Sequence, residues 1–269
     1  MKKKTIIYIT ISLIIIVGVS SIVIIKELNG RNSINNTIFN ETDNSTILRL
    51  AELSKQDPRI NYIIENYEIY PDELLEMLSK NIETIDFVLN YPNQKDIVHA
   101  SDIGEITKGE YPLLLQWDER WGYEKYGDSI IAVSGCAPVA LSIVIAGLTG
   151  NNKITPYTIA KYAEEEGYYS RLGTSWSIMT EGITKFDIKG TEIALSKNTI
   201  YNKLNNGNPI ICSMRRGDFT TTGHFIVLVG IEEGKIKIKD PNSIEKSNKL
   251  WDYETLENQI KNLWSFEEI

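Results

Sequence analysis

One stretch limits the fold more than any other: Ser134-Gly135-Cys136-Ala137-Pro138-Val139-Ala140-Leu141-Ser142-Ile143-Val144-Ile145-Ala146-Gly147, where a cysteine stands at the point a loop becomes an apolar helix. A helix start presents unpaired backbone N–H groups and the positive end of the dipole. A thiol there is biased toward the thiolate and suited to act as a nucleophile. Pro138 is tolerated in a first turn, and Ser134 is the expected cap. Taken alone, the segment fits the plainer assignment better, in which Cys136 is a small core residue. The rest of the chain decides between the two.

At the other end of the constraint, Lys2, Lys3 and Lys4 precede a run from Thr5 to Ile25 without a charge, which Lys26 ends. That run is long enough to cross a bilayer. It carries neither a small-residue cleavage site nor a lipid-accepting cysteine, which favours a retained signal anchor over a cleaved peptide. The three lysines before the span, against Lys26 and Arg31 after it, orient the N-terminus to the cytoplasm. Residues 1–28 are therefore expected to hold cytoplasmic lysines and a transmembrane helix through residues 5–25. The protein is then single-pass in the cell membrane, with everything that follows extracellular.

Residues 29–46 are rich in Asn, Ser and Thr, with Asn-x-Thr triplets at Asn35, Asn40 and Asn44, and read as a polar tether. Simple polarity explains the triplets, and glycosylation would need a host that carries the machinery. A small α-helical unit is expected over 47–92. Asp57-Pro58 opens a helix with Ile60, Ile63, Ile64 and Tyr67 on one face, Pro71-Asp72-Glu73 opens one with Leu74, Leu75 and Leu78, and Ile82, Ile85, Val88 and Leu89 mark a third. Such a unit serves as a spacer, a docking surface or an inhibitory pro-segment, spacer being the simplest. Residues 93–110 form a linker, with His99 as an ordinary surface residue, and 111–269 form the main domain.

The net charge of -8 argues against a nucleic-acid partner. Two cysteines, Cys136 and Cys212, and two histidines, His99 and His224, are too few for a disulfide scaffold or a metal cluster of these side chains, so no cofactor is expected. A Cys136–Cys212 bridge is disfavoured, because Cys212 lies in the apolar run Pro209-Ile210-Ile211-Cys212 and reads as a buried strand residue. No G-x-x-x-x-G-K-[ST] phosphate loop is present, so the chain is not a complete ATP-driven exporter.

In the main domain, Tyr111 to Leu115 reads as a strand-like entry, Thr155-Pro156 starts a helix that Gly167 ends, and Ser175-Trp176 starts another reaching Thr184. Strands are then expected at Thr191–Leu195 and Pro209–Met214, with a helix over Asn198–Asn206 between them. His224 leads the β-rich run Phe225-Ile226-Val227-Leu228-Val229, and the turn Glu232-Glu233-Gly234-Lys235 joins it to Ile236-Lys237-Ile238-Lys239-Asp240-Pro241-Asn242. A hairpin closed by Glu232 and Lys235 sets His224 opposite Ser243, a few residues from Asp240, and a bulge would bring the two closer. Cys136, His224 and Asp240 then make a nucleophile, a base and an orienting carboxylate. Each is weak evidence alone, but their joint placement at a helix start and on a hairpin favours a catalytic set.

From Leu115 to about Phe266 the chain resembles the C39-like cysteine peptidases, a papain-like family that includes the leader-cleaving domains of bacteriocin exporters. The resemblance rests on Gln116-Trp117-Asp118 with Trp121-Gly122, on Ser134-Gly135-Cys136-Ala137-Pro138, on Gly173-Thr174-Ser175-Trp176, on Gly223-His224-Phe225 and on Asp240-Pro241-Asn242. It implies an α+β, papain-like fold, with helices packed on an antiparallel sheet. It also implies Cys136 as nucleophile, His224 as base, Asp240 as orienter and a glutamine donating to the oxyanion. Gln116 is the candidate for that last role, although it stands farther from the cysteine than in exporter-type members. Trp117, Trp121 and Trp176 read first as packing residues, with Trp176 placed to border a cleft.

The expected function is thus a membrane-anchored extracellular thiol hydrolase acting on peptide or amide bonds of a peptide or protein substrate. The alternative is a catalytically silent peptide-binding module on the same fold. The sequence leaves the oligomeric state open.

Overall fold

A computed structural model describes residues 45–94, 98–171 and 173–269. The expected transmembrane helix and nearly all of the expected tether lie outside the described residues, among which no helix is long and apolar enough to cross a membrane. The chain divides at Glu68/Ile69 into two compact units. In the first, α1 (Ser45–Leu53) packs on α2 (Ile60–Glu65). Their apolar residues recur at helical spacing, so Ile47, Leu50, Ala51, Ile60, Ile63 and Ile64 are all buried. Helix α1 begins at Ser45, two residues inside the segment expected to be tether.

The second unit, Ile69–Ile269, opens with α3 (Asp72–Lys80), whose Leu74, Leu75 and Leu78 are buried, and α4 (Ile85–Gln94), in which Pro92 does not end the helix. Residues 111–115, expected as a strand-like entry, form neither strand nor helix. A short hairpin of β1 (Lys125–Tyr126) and β2 (Ser129–Ile130) leads through the single turn α5 (Ile131–Ser134) into α6 (Cys136–Thr149). Every residue of α6 from Ala137 to Gly147 is buried. A helix apolar on all sides has to sit inside a core, and α6 is enclosed by α7 (Pro156–Glu165) and by the main sheet.

After the small hairpin of β3 (Tyr169–Ser170) and β4 (Gly173–Thr174), the helix expected from Ser175 to Thr184 is instead two 3-10 turns, Trp176–Met179 and Gly182–Phe186. Ser175 caps the first by accepting from the Ser177 N–H. The strand expected at Thr191–Leu195 lies earlier, as β5 (Ile188–Glu192). Helix α8 (Lys197–Asn205) is capped by the Ser196 hydroxyl. There follow β6 (Ile210–Met214), β7 (His224–Glu232), β8 (Lys235–Lys239), the short helix α9 (Ile244–Ser247), β9 (Leu250–Trp251), α10 (Tyr253–Glu257) and β10 (Ile260–Glu268).

Six of these strands form one antiparallel sheet in the order β5-β10-β6-β7-β8-β9. Alternation along the central strands divides the core in two. Ile211, Phe225, Val227 and Trp264 join the α6 cluster with Val139, Ile143 and Ala146. Ile210, Cys212, Met214, Ile226 and Leu228 join a second cluster with Ile200 and Leu204 of α8 and Leu256 of α10. The sheet is thus covered on both faces, which is why every residue of β6 is buried. The architecture is α+β, as expected.

Candidate active site

The nucleophile candidate owes its position to what precedes α6. Gly135, not Ser134, is the N-cap residue, and the Ser134 hydroxyl instead donates back to Ile130 O at 3.1 Å. Ser134 is the last residue of the α5 turn, so its side chain is used within that turn. A Cβ on Gly135 would lie 2.5 Å from Ile131 O and 2.6 Å from Ile131 Cγ2, so only glycine lets the chain pass this close to α5. The first N–H of α6 with a helical acceptor is that of Val139, to Gly135 O at 3.0 Å. Among the described residues the N–H groups of Cys136 and Ala137 have no acceptor at the helix start, and Pro138 has no N–H to satisfy. Cys136 itself is partly exposed.

The base and its carboxylate come from the β7–β8 hairpin. Glu232 pairs with Lys235, and the two turn residues between them, Glu233 and Gly234, have φ of 52° and 75°, the positive values that a two-residue hairpin turn needs. Register holds to Gly230↔Lys237 and then slips by one to Leu228↔Ile238, through a bulge at Val229. The slip carries Asp240 toward His224, and His224 Nε2 lies 2.6 Å from Asp240 Oδ1. Asp240 is fully buried and the His224 side chain is only 7% exposed, so the pair is shielded from water.

Burial by itself would lower the His224 ring from its ordinary 6.5. The charge and hydrogen bond of Asp240, followed by the hydrogen bond and charge of Cys136, outweigh that effect and raise it to about 10. With Nε2 committed to Asp240, Nδ1 is the nitrogen left for the thiol. The Tyr126 phenol is pushed up chiefly by burial, with the charge of Cys136 among the smaller causes, and its hydroxyl is 2.7 Å from Thr174 Oγ1. The tyrosine therefore stays a neutral neighbour of the sulfur.

The loop that carries Asp240 is tied down by several elements. Asp240 Oδ1 also accepts from the Asn242 N–H at 2.8 Å, while the Asp240 N–H donates to Ser247 Oγ at 2.8 Å. Gln116 N–H donates to Pro241 O at 2.7 Å, and Trp117 Nε1 donates to Asn242 O at 3.2 Å. Buried Gln116 also reaches the segment before the nucleophile, its Nε2 donating to Ala132 O at 2.6 Å. Gln116 thus touches both the Asp240 loop and the approach to Cys136.

Other expectations resolve simply. Cys136 and Cys212 are both free, and Cys212 belongs to the apolar cluster that does not include Cys136. Burial pushes the Cys212 thiol well up, so it stays protonated. Trp121 is core, while half-exposed Trp176 meets Trp264 edge-on at 5.3 Å, with Lys261 Nζ 5.1 Å from its ring. His99 is more engaged than a surface residue, stacking on Tyr157 at 3.6 Å and lying 3.3 Å from Glu124. Asn81 and Glu83, which no motif singles out, contact the Asp240 loop from the helices before the main domain.

Residues 108–267 match the Peptidase_C39 like family, and the chain belongs to it. Membership supports a cysteine peptidase. Among solved structures, the peptidase domain of Streptococcus ComA, a bi-functional ABC transporter involved in a quorum sensing pathway, is 20% identical with a TM-score of 0.40, over 60% of this chain and 100% of that one. A protein described as a C39-like peptidase from Bacillus anthracis is 15% identical, with a TM-score of 0.33, over 62% and 98% of the two chains. A double glycine motif protease from an AMS/PCAT transporter, solved with a leader peptide, is 14% identical with a TM-score of 0.34, over 62% and 99%. No curated protein matches the chain.

Proposed function

We propose that this protein is a membrane-anchored thiol hydrolase that cleaves peptide bonds outside the cell through Cys136, His224 and Asp240. The observation that carries the proposal is the buried 2.6 Å His224–Asp240 pair, with Cys136 beside the ring at an open helix start. The Cys136 thiolate adds to the scissile carbonyl carbon, and the C=O electrons move onto oxygen. The open Cys136 N–H donates to that oxyanion, with Gln116 Nε2 as second donor through the hydrogen not used on Ala132 O. Collapse re-forms the carbonyl and breaks the C–N bond, and the Nδ1 proton passes to the leaving amine. Water then loses a proton to Nδ1 and attacks the thioester. The C–S bond breaks, the carboxylic acid departs, and the thiolate with its proton on Nδ1 is restored. Asp240 holds the ring orientation throughout and stabilises its charged form.

Residues 5–25 would hold this domain on the outer face of the membrane, and the lysine asymmetry supports that orientation. The test is to digest a mixed peptide library with the full-length chain and with Cys136→Ala, both in detergent, and to identify products by mass spectrometry. Hydrolase activity gives cleavages that vanish in the variant. Peptides retained by both proteins and cut by neither would make the chain a peptide-binding module instead.

A further inference from the structure

Helices α3 and α4 precede the stretch matched to the family, yet the bend between them is bonded to the loop that carries Asp240. Two routes run from it. Asn81 Nδ2 donates to Asn242 O at 2.6 Å, and the N–H of that same Asn242 donates to Asp240 Oδ1. Glu83 grips the start of α9, its Oε2 accepting from the Ile244 N–H at 2.8 Å and its Oε1 from the Glu245 N–H at 2.9 Å. These are orphan donors of a helix start, which a carboxylate satisfies by charge as well as by hydrogen bonding. Helix α9 in turn presents Ser247, whose Oγ accepts from the Asp240 N–H and donates to Ser243 O at 2.7 Å. Asn81 also fixes Glu83, since its Oδ1 accepts the Glu83 N–H at 3.1 Å. Asp240 is therefore located from outside its own hairpin, at both its backbone and its carboxylate.

We propose that Glu83, held by Asn81, is a positioning residue that fixes Asp240 and, through it, the ring of His224. The kinetic part rests on the hydrolase proposed above. A carboxylate displaced by a fraction of an ångström leaves the ring free to turn away from the thiol. The cost then falls on the chemical step rather than on substrate binding. Helices α3 and α4 are, on this basis, a working part of the peptidase and not a removable pro-segment.

The experiment compares full-length wild type, Glu83→Ala, Glu83→Gln and the control Glu76→Ala, whose exposed carboxylate pairs with Lys80. With His99 and His224 as the only histidines, 15N-histidine labelling resolves the ring of His224, with His99 as internal reference. The titratable groups facing that ring are Asp240 and Cys136. Kinetics use the fluorogenic library peptide that wild type cleaves best. Glu83→Ala should lower kcat by about 10- to 100-fold with KM little changed. It should also move the His224 midpoint down by roughly one pH unit or more as the Asp240 bond loosens. Glu83→Gln keeps an oxygen for the α9 donors and should restore most of both, and Glu76→Ala should match wild type. A His224 titration unchanged in Glu83→Ala overturns the proposal, whether or not the variant melts at a lower temperature. Should wild type cleave no peptide, the hydrolase proposal fails, while the His224 titration still decides the role of Glu83.

Discussion

Replacing Asp240 by asparagine should reverse the sign of the pH dependence that His224 gives to folding stability. The comparison is best made in a Cys136→Ala background, which removes the thiol from the balance. In that parent the buried ring still faces the Asp240 carboxylate, whose charge and hydrogen bond oppose burial and are expected to keep the ring raised. A base raised on folding stabilises fully below its unfolded value and loses that contribution as pH rises through the folded one. With Cys136 and Asp240 both beside the ring, the gap from 6.5 to about 10, at about 1.36 kcal/mol per pH unit, is on the order of 5 kcal/mol. Asp240 is the larger of the two causes that raise the ring and Cys136 the smaller, so the parent should keep a reduced part of that contribution. The amide introduced by Asp240→Asn would keep an oxygen for Nε2–H and for the Asn242 N–H but carry no charge. Burial then dominates and pushes the ring below 6.5, so stability is lost as pH falls. Urea unfolding followed by circular dichroism between pH 5.5 and 9.5 measures both. The parent should lead Asp240→Asn near pH 6, by no more than about 5 kcal/mol, with the lead shrinking toward pH 10. Parallel curves across that range would refute the electrostatic reasoning.

Gly135→Ala should cost about 1–3 kcal/mol of stability, because the new methyl meets Ile131 O at 2.5 Å. It should also depress kcat by shifting the start of α6, which urea titration and steady-state kinetics would report together. Gln116→Ala should lower kcat by about 100-fold with little change in KM, the cost of one oxyanion donor of about 3 kcal/mol. An unchanged kcat would remove Gln116 from the mechanism. Added protease should degrade the domain after Lys26 in intact cells, whereas protection that is lost on lysis would place it inside.

How much of this is legible in the sequence follows the range of the interactions. Helix α6 and the β7–β8 hairpin are readable because their signals are local: a long, almost wholly apolar run, and a Glu-Gly turn between β-rich segments. The closeness of His224 and Asp240 follows from the hairpin, but the one-residue slip at Val229 depends on packing and has no local signature. Ser134 is misleading, since a serine before an apolar run suggests a cap and the α5 turn uses its hydroxyl instead. Strand β10 sits between β5 and β6, yet a register shift between Ile260 and Asn262 breaks its alternation, and no motif marks it. The bonds of Asn81 and Glu83 to the Asp240 loop join residues about 160 apart in the chain, and only the closed fold brings them together.

The proposed reactive pairing of Cys136 with His224 is tested most directly by alkylation, which needs no knowledge of the substrate. Full-length wild type and His224→Ala, shown to be folded by circular dichroism, are treated with iodoacetamide at pH 6, and each cysteine is followed by peptide mass spectrometry. Cys136 should be modified at least tenfold faster in wild type than in His224→Ala, since the charged ring favours the thiolate. Cys212, fully buried among apolar residues, should stay unmodified in both and serve as the internal reference. Equal rates at Cys136 in the two proteins would contradict the pairing and leave it an ordinary cysteine at the start of a buried helix.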